Sequence, residues 1–153
     1  MLFEKERLDL VDFGKKMSSV GLSKGTSGNL SIRDPQSGYM IITPSGIGYF
    51  DTQPDDCVVM SLNGEIIEGS RKPSSEHYLH AAIYRVKPEM NAIVHAHSTF
   101  STTLACMRQP INAIHYYVGL SGTSEVKCAD YATAGTQELA ENAAKAIGSS
   151  KAV

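Results

Sequence analysis

Apolar positions in the opening segment, Phe3, Leu10, Phe13, Met17 and Val20, recur at helical spacings, and Gly21 follows as a stop. That pattern predicts an amphipathic helix. The period then shortens. Asn29 to Arg33 and Tyr39 to Thr43 read as two strands around a turn containing Asp34, Pro35 and Gly38. "CVVMS" and "EIIEG" flank Asn63-Gly64, a strong hairpin signal. Four short strands of one antiparallel sheet are expected. In "KPSSEHYLHAAIYRVKP" the helical period returns through Leu79, Ile83 and Val86, with Ser74 and Ser75 as N-caps and Pro88 past the end. "AIVHAHS" has the make-up of a buried strand, and "STFSTTLAC" that of a short helix capped by Ser98. "INAIHYYVGL" is a further apolar, strand-like stretch. "GTQELAENAAKAIGSS" predicts a helix with Thr136 as N-cap, Leu139, Ala143 and Ile147 on one face, and Gly148 as stop. "SKAV" then reads as the start of another strand. The layout is α/β: a mixed or largely antiparallel sheet covered by helices.

Composition narrows this picture without redirecting it. With 153 residues, 42% hydrophobic and 20% charged, the chain has the size and make-up of one globular domain, residues 1–153. The net charge of −2 and the lack of dense Lys/Arg runs point away from nucleic acid and membrane surfaces, toward a small molecule or another protein. Three scattered cysteines, Cys57, Cys106 and Cys128, fit a reducing compartment better than a disulfide framework. The N-terminus has no secretory pattern and no apolar run long enough to cross a membrane, so a cytoplasmic location is expected.

The chemistry concentrates in a few places. His95 and His97 are two apart on an expected strand, so both rings face one side, as ligands of a metal would. A catalytic zinc normally takes three protein ligands, which leaves one to find. Three small-residue turns accompany the pair: Gly25 to Asn29, Thr43 to Gly46, and Pro73 to Glu76. Each has an ordinary reading as a polar turn or a helix cap, the cap alone being worth about 1 kcal/mol. Together they supply the amide and hydroxyl donors that enclose a phosphate. Glu76 is either an acid stabilised by the first turn of a helix or a general base facing the histidines. His77 and His80, three apart on the same helix, read as facing solvent or a neighbour. Packing is the ordinary role for His115 and Tyr116, although Tyr116 would be a proton donor if it reached the metal.

Taken in order, "GLSKGTSGNLSIR", "IITPSGIGY", "EGSRKPSSEHYLHAAIY", "AIVHAHS", "AIHYY" and "YATAGTQELA" resemble the class II aldolase/adducin family over nearly the whole chain. The resemblance implies a three-layer α/β/α fold with a mostly antiparallel central sheet. It also implies a homotetramer with one Zn2+ per subunit and active sites between subunits. By this likeness His95 and His97 are zinc ligands, and Glu76 is the catalytic acid/base, able to ligate zinc when no substrate is bound. Gly28, Asn29, Ser45, Gly46, Ser74 and Ser75 hold the substrate phosphate, and Tyr116 assists proton transfer in a neighbouring subunit's site. The reaction implied is reversible cleavage of a ketose 1-phosphate, L-fuculose 1-phosphate foremost, into dihydroxyacetone phosphate and L-lactaldehyde. Pentulose-phosphate 4-epimerases, which have Asp in place of Glu76, methylthioribulose-phosphate dehydratases and non-catalytic adducin-like modules are the alternatives within the likeness. The family's third zinc histidine follows the helix that resembles Thr136 to Ile147. The sequence reaches Val153 without it, so the C-terminal part of the domain is expected to be missing.

Overall fold

The computed structural model describes residues 1–153. Five strands, β1 (Asn29–Arg33), β2 (Met40–Ile42), β3 (Val58–Met60), β4 (Ile66–Glu68) and β5 (Ala92–His95), form one sheet in the order β4-β3-β2-β1-β5. Every neighbouring pair is antiparallel. Helix α1 (Glu4–Ser19) covers one face and α2 (His77–Val86) the other, with α4 (Gln137–Ile147) packed on α2. This is the three-layer α/β/α arrangement with an antiparallel centre that the sequence predicts. Helix α3 (Thr99–Cys106) buries no residue, and a small ribbon of β6 (Ile111–Asn112) and β7 (Glu125–Val126) stands apart from the main sheet.

Alternation along the strands assigns the two cores. Leu30, Ile41 and Val59 point to α1 and meet Leu10, Val11 and Met17. Met40, Ile42, Val58 and Met60 point the other way, to Tyr84 of α2. Burying each such side chain stabilises the fold by about 1.5–3 kcal/mol. Both expected hairpins form. Asp34 accepts from the Ser37 amide at 2.7 Å in the first, and Gly64 takes a left-handed φ of 92° in the second, as the Asn-Gly pair requires. Thr136 caps α4 by accepting from the Leu139 amide, and Ala140, Ala143 and Ile147 are its buried residues.

Several expectations fail for identifiable reasons. The "AIVHAHS" strand is not buried: β5 lies at the sheet edge, and its Val94 is 60% exposed. Neither Ser74 nor Ser75 is the N-cap of α2; Glu76 is, because Ser74 spends its backbone pairing with Thr43 and its hydroxyl on the Glu76 amide. The "INAIHYYVGL" stretch holds only the two residues of β6 and then a 3-10 turn, Tyr116–Ser121. Ile111 and Val118 are only partly covered, and Ile114, Tyr116 and Leu120 are 86%, 75% and 72% exposed. Residues 151–153 form no strand; the Lys151 amide instead donates to the Ser121 carbonyl. No helix is long and apolar enough to cross a membrane.

Candidate active site

Strand β1 places the site. Its register sets Asn29 opposite His95 of β5, so both side chains rise on the α2 face of the sheet, where α2 begins. There the Glu76 Oε2 lies 2.7 Å from the His95 Nδ1 and accepts from the Asn29 Nδ2 at 2.9 Å. The His95 nitrogen is close enough for an ion pair but is off the line of a ring N–H bond, so it is buried without a directed hydrogen-bond partner. Burial raises the Glu76 carboxyl; contact with His95, the Asn29 amide and the charge of His97 outweigh burial and hold it down at about 2.

His97 does not share the strand. β5 stops at His95, and His97 follows in irregular backbone, its amide donating to the Ser23 Oγ at 3.2 Å. The two rings nevertheless stay together, with centroids 4.8 Å apart. Glu76 and His97 thus each lie beside His95 at the end of β5, without the three side chains converging on one point. No group of three or more His, Cys, Asp or Glu side chains is assembled for a metal.

The three turns also converge. Pro44 and Pro73 form an antiparallel bridge, the Ser45 amide donates to the Lys72 carbonyl at 2.9 Å, and the Ser74 amide donates to the Thr43 carbonyl at 3.1 Å. The second and third turns are thus zipped side by side, with Ser45, Gly46 and Ser75 exposed and Ser74 buried. The first turn joins them through Asn29. Gly28 is fixed by geometry: its φ is 76°, and a Cβ there would lie 2.5 Å from the His95 carbonyl oxygen. Tyr49 braces the same turn, its hydroxyl donating to the Ser27 carbonyl at 3.1 Å. Asn29 itself is already engaged, by Glu76 through Nδ2 and by His80 through Oδ1.

His80 is the largest departure from the sequence reading. It is fully buried, with Nε2 2.6 Å from the Asn29 Oδ1 and Nδ1 2.6 Å from the Ser31 Oγ. Ser31 in turn meets the Tyr84 hydroxyl at 2.9 Å. None of Ser31, His80 or Tyr84 stands out as a motif. The available signal was the alternation of polar Asn29, Ser31 and Arg33 along one face of β1, opposite His80 and Tyr84 four apart on α2. Tyr116 is remote from these contacts within the chain: its ring packs on His115 and Tyr117, and no hydrogen bond links it to Glu76, His95 or His97.

A family model described as Class II Aldolase and Adducin N-terminal domain matches residues 8–153. A 5-deoxy-D-ribulose 1-phosphate aldolase of Bacillus thuringiensis is 44% identical over all of this chain, which spans 71% of that protein. A 5-methylthioribulose-1-phosphate/5-deoxyribulose-1-phosphate aldolase of Rhodospirillum rubrum is 42% identical over 95% of the chain, which spans 65% of it. Among solved structures, an L-fuculose 1-phosphate aldolase superposes with a TM-score of 0.94 at 45% identity, covering 98% of this chain and 70% of that one.

Proposed function

The chain belongs to the class II aldolase and adducin N-terminal domain family, and from that premise we propose that it serves a metal-dependent aldolase that reversibly cleaves a ketose 1-phosphate to dihydroxyacetone phosphate and an aldehyde. The observation that carries this reading is the Glu76 carboxylate, held ionised and 2.7 Å from His95, at the edge of three converging donor-rich turns. An ionised carboxylate is the form that accepts a proton.

In the proposed reaction the C4 hydroxyl loses its proton, the C3–C4 bond breaks, and its electron pair flows toward the C2 carbonyl oxygen. Glu76 takes up a proton from solvent and delivers it to C3, replacing the one that leaves the C4 hydroxyl, and in the reverse direction removes one, forming the attacking carbon. Gly28, Asn29, Ser45, Gly46, Ser74 and Ser75 hold the phosphate, so that binding energy far from the broken bond orients C3 against Glu76. Tyr116 passes a proton to or from the aldehyde oxygen in a neighbouring subunit of a homotetramer; its exposure, with that of Ile114 and Leu120, supports a role outside its own chain's site.

His95 and His97 would hold a zinc ion, and Glu76 would join them when no substrate is bound. The undirected, buried Nδ1 of His95 and the neighbouring imidazole of His97 supply two of the three protein ligands that a catalytic zinc normally takes. When bound, the ion would supply Lewis-acid stabilisation of negative charge on the substrate's oxygens.

Two substrates suit this reading. The 44% identity to a 5-deoxy-D-ribulose 1-phosphate aldolase favours that sugar, which yields acetaldehyde beside dihydroxyacetone phosphate. The likeness to an L-fuculose 1-phosphate aldolase favours L-fuculose 1-phosphate, which yields L-lactaldehyde. A coupled assay for dihydroxyacetone phosphate, run on each sugar with and without a chelator, tests the proposal, and mass spectrometry of the products identifies the aldehyde. Chelator-sensitive dihydroxyacetone phosphate is expected; an epimer or a dehydrated sugar phosphate as the sole product would sink the aldolase reading.

A further inference from the structure

His80 is a buried histidine that the proposed chemistry does not use, yet it lies one side chain behind the proposed base. Its partners fix where its proton sits. The Asn29 Oδ1, 2.6 Å from Nε2, can only accept, so Nε2 must carry the hydrogen. The Asn29 Nδ2 can only donate, so the Glu76 Oε2, 2.9 Å away, is an acceptor. On the far side of the ring, a neutral imidazole protonated at Nε2 must accept at Nδ1, and the Ser31 hydroxyl is there at 2.6 Å to donate. The Tyr84 hydroxyl donates to the Ser31 carbonyl at 3.1 Å. The ring is fully buried between these two partners, and burial disfavours its charged form, so it is neutral. The hydrogens of Ser31, His80 and Asn29 therefore all point toward Glu76, and Tyr84 anchors the far end at the Ser31 carbonyl.

We infer that His80 is a positioning residue for Glu76: by donating from Nε2 it locks the Asn29 amide with its NH2 turned to Oε2, which leaves Oε1 as the oxygen that meets the substrate carbon. Without that donor the Asn29 amide is free to flip, presenting its carbonyl oxygen to a carboxylate. Two acceptors would then face each other, and Glu76 would turn away. The series also explains why β1 keeps polar residues on a face that is apolar on β2 and β3. Small displacements of a reacting group are costly, about 1 Å costing up to about 100-fold in rate.

This inference rests on Glu76 being the base, so its test separates the two. Nitrogen-15 NMR of histidine-labelled protein is expected to find His80 neutral with the hydrogen on Nε2; a hydrogen on Nδ1 overturns the inference whatever the activity. In the full-length protein, the His80→Gln variant keeps a donor where Nε2 stood and is expected to hold kcat within about threefold, while His80→Leu lowers kcat about 10- to 100-fold with KM within about twofold. Equal losses in both variants, or a raised KM at unchanged kcat in His80→Leu, would overturn it. Should His80→Leu not fold, Ser31→Ala, which removes the donor to Nδ1, is expected to lower kcat about three- to tenfold at constant KM, and an unchanged kcat contradicts the inference. If the wild type makes no dihydroxyacetone phosphate from either sugar, the aldolase reading falls, and the His80 tautomer still decides the hydrogen-bond series.

Discussion

The two faces of β1 differ in kind, one apolar and one polar. Leu30 and Ile32 join the apolar cluster under α1, while Asn29, Ser31 and Arg33 meet His80, Tyr84 and Glu76 under α2. β2 and β3 are apolar on both faces. The sheet thus devotes one strand's inner face to a buried polar series that ends at the site, and leaves stability to the rest. Burying polar groups is tolerable when they find partners, and along this face Asn29, Ser31, His80 and Tyr84 all do, while the Arg33 Nε and the His95 Nδ1 are buried without one.

The comparison yields mutations that should separate chemistry from stability. Glu76→Gln acts on the polar face and is expected to lower kcat by about 10²- to 10⁴-fold while circular dichroism stays unchanged. Ile41→Ala acts on the apolar face under α1, where the side chain is fully buried. It should cost about 2–5 kcal/mol in urea unfolding, with kcat preserved in the fraction that remains folded. Gly28→Ala falls where the two faces meet. Its positive φ and the 2.5 Å approach to the His95 carbonyl oxygen predict a loss of about 1–3 kcal/mol together with reduced turnover, so it alone should fail both measurements. Thr136→Ala removes the α4 cap and should cost about 1 kcal/mol without touching kcat. If Ile41→Ala slowed the folded enzyme as much as Glu76→Gln, the division between faces would be broken.

Much of this was legible in the sequence. Periodicity gave α1, the two hairpins, α2 and α4, because each is amphipathic over several turns or bounded by an unambiguous turn such as Asn63-Gly64. Glu76, His95 and the three turns were legible as candidates because their residue types have few other uses in combination. The structure brings Glu76 to His95, Asn29 to Glu76, and the Thr43 and Ser74 turns together. His80 was not legible: its burial depends on β1 and α2 meeting face to face, a long-range pairing that spacing along one helix does not encode. The stretch from Ile111 to Leu120 was misread for the opposite reason. Its apolar residues look like a core strand, but most of them stay exposed, and exposed apolar side chains in such a cluster mark surfaces that meet another body.

The central claim is that Glu76 moves the proton at the carbon that bonds to the aldehyde. The most direct measurement needs no larger ketose phosphate and no aldehyde: the protein is incubated with Zn2+ and dihydroxyacetone phosphate in deuterium oxide, and proton NMR follows the hydroxymethyl carbon. The wild type should exchange one of the two hydrogens stereospecifically, and Glu76→Gln should exchange neither on the same timescale. Exchange at the wild-type rate in Glu76→Gln would show that another group is the base and would contradict the account.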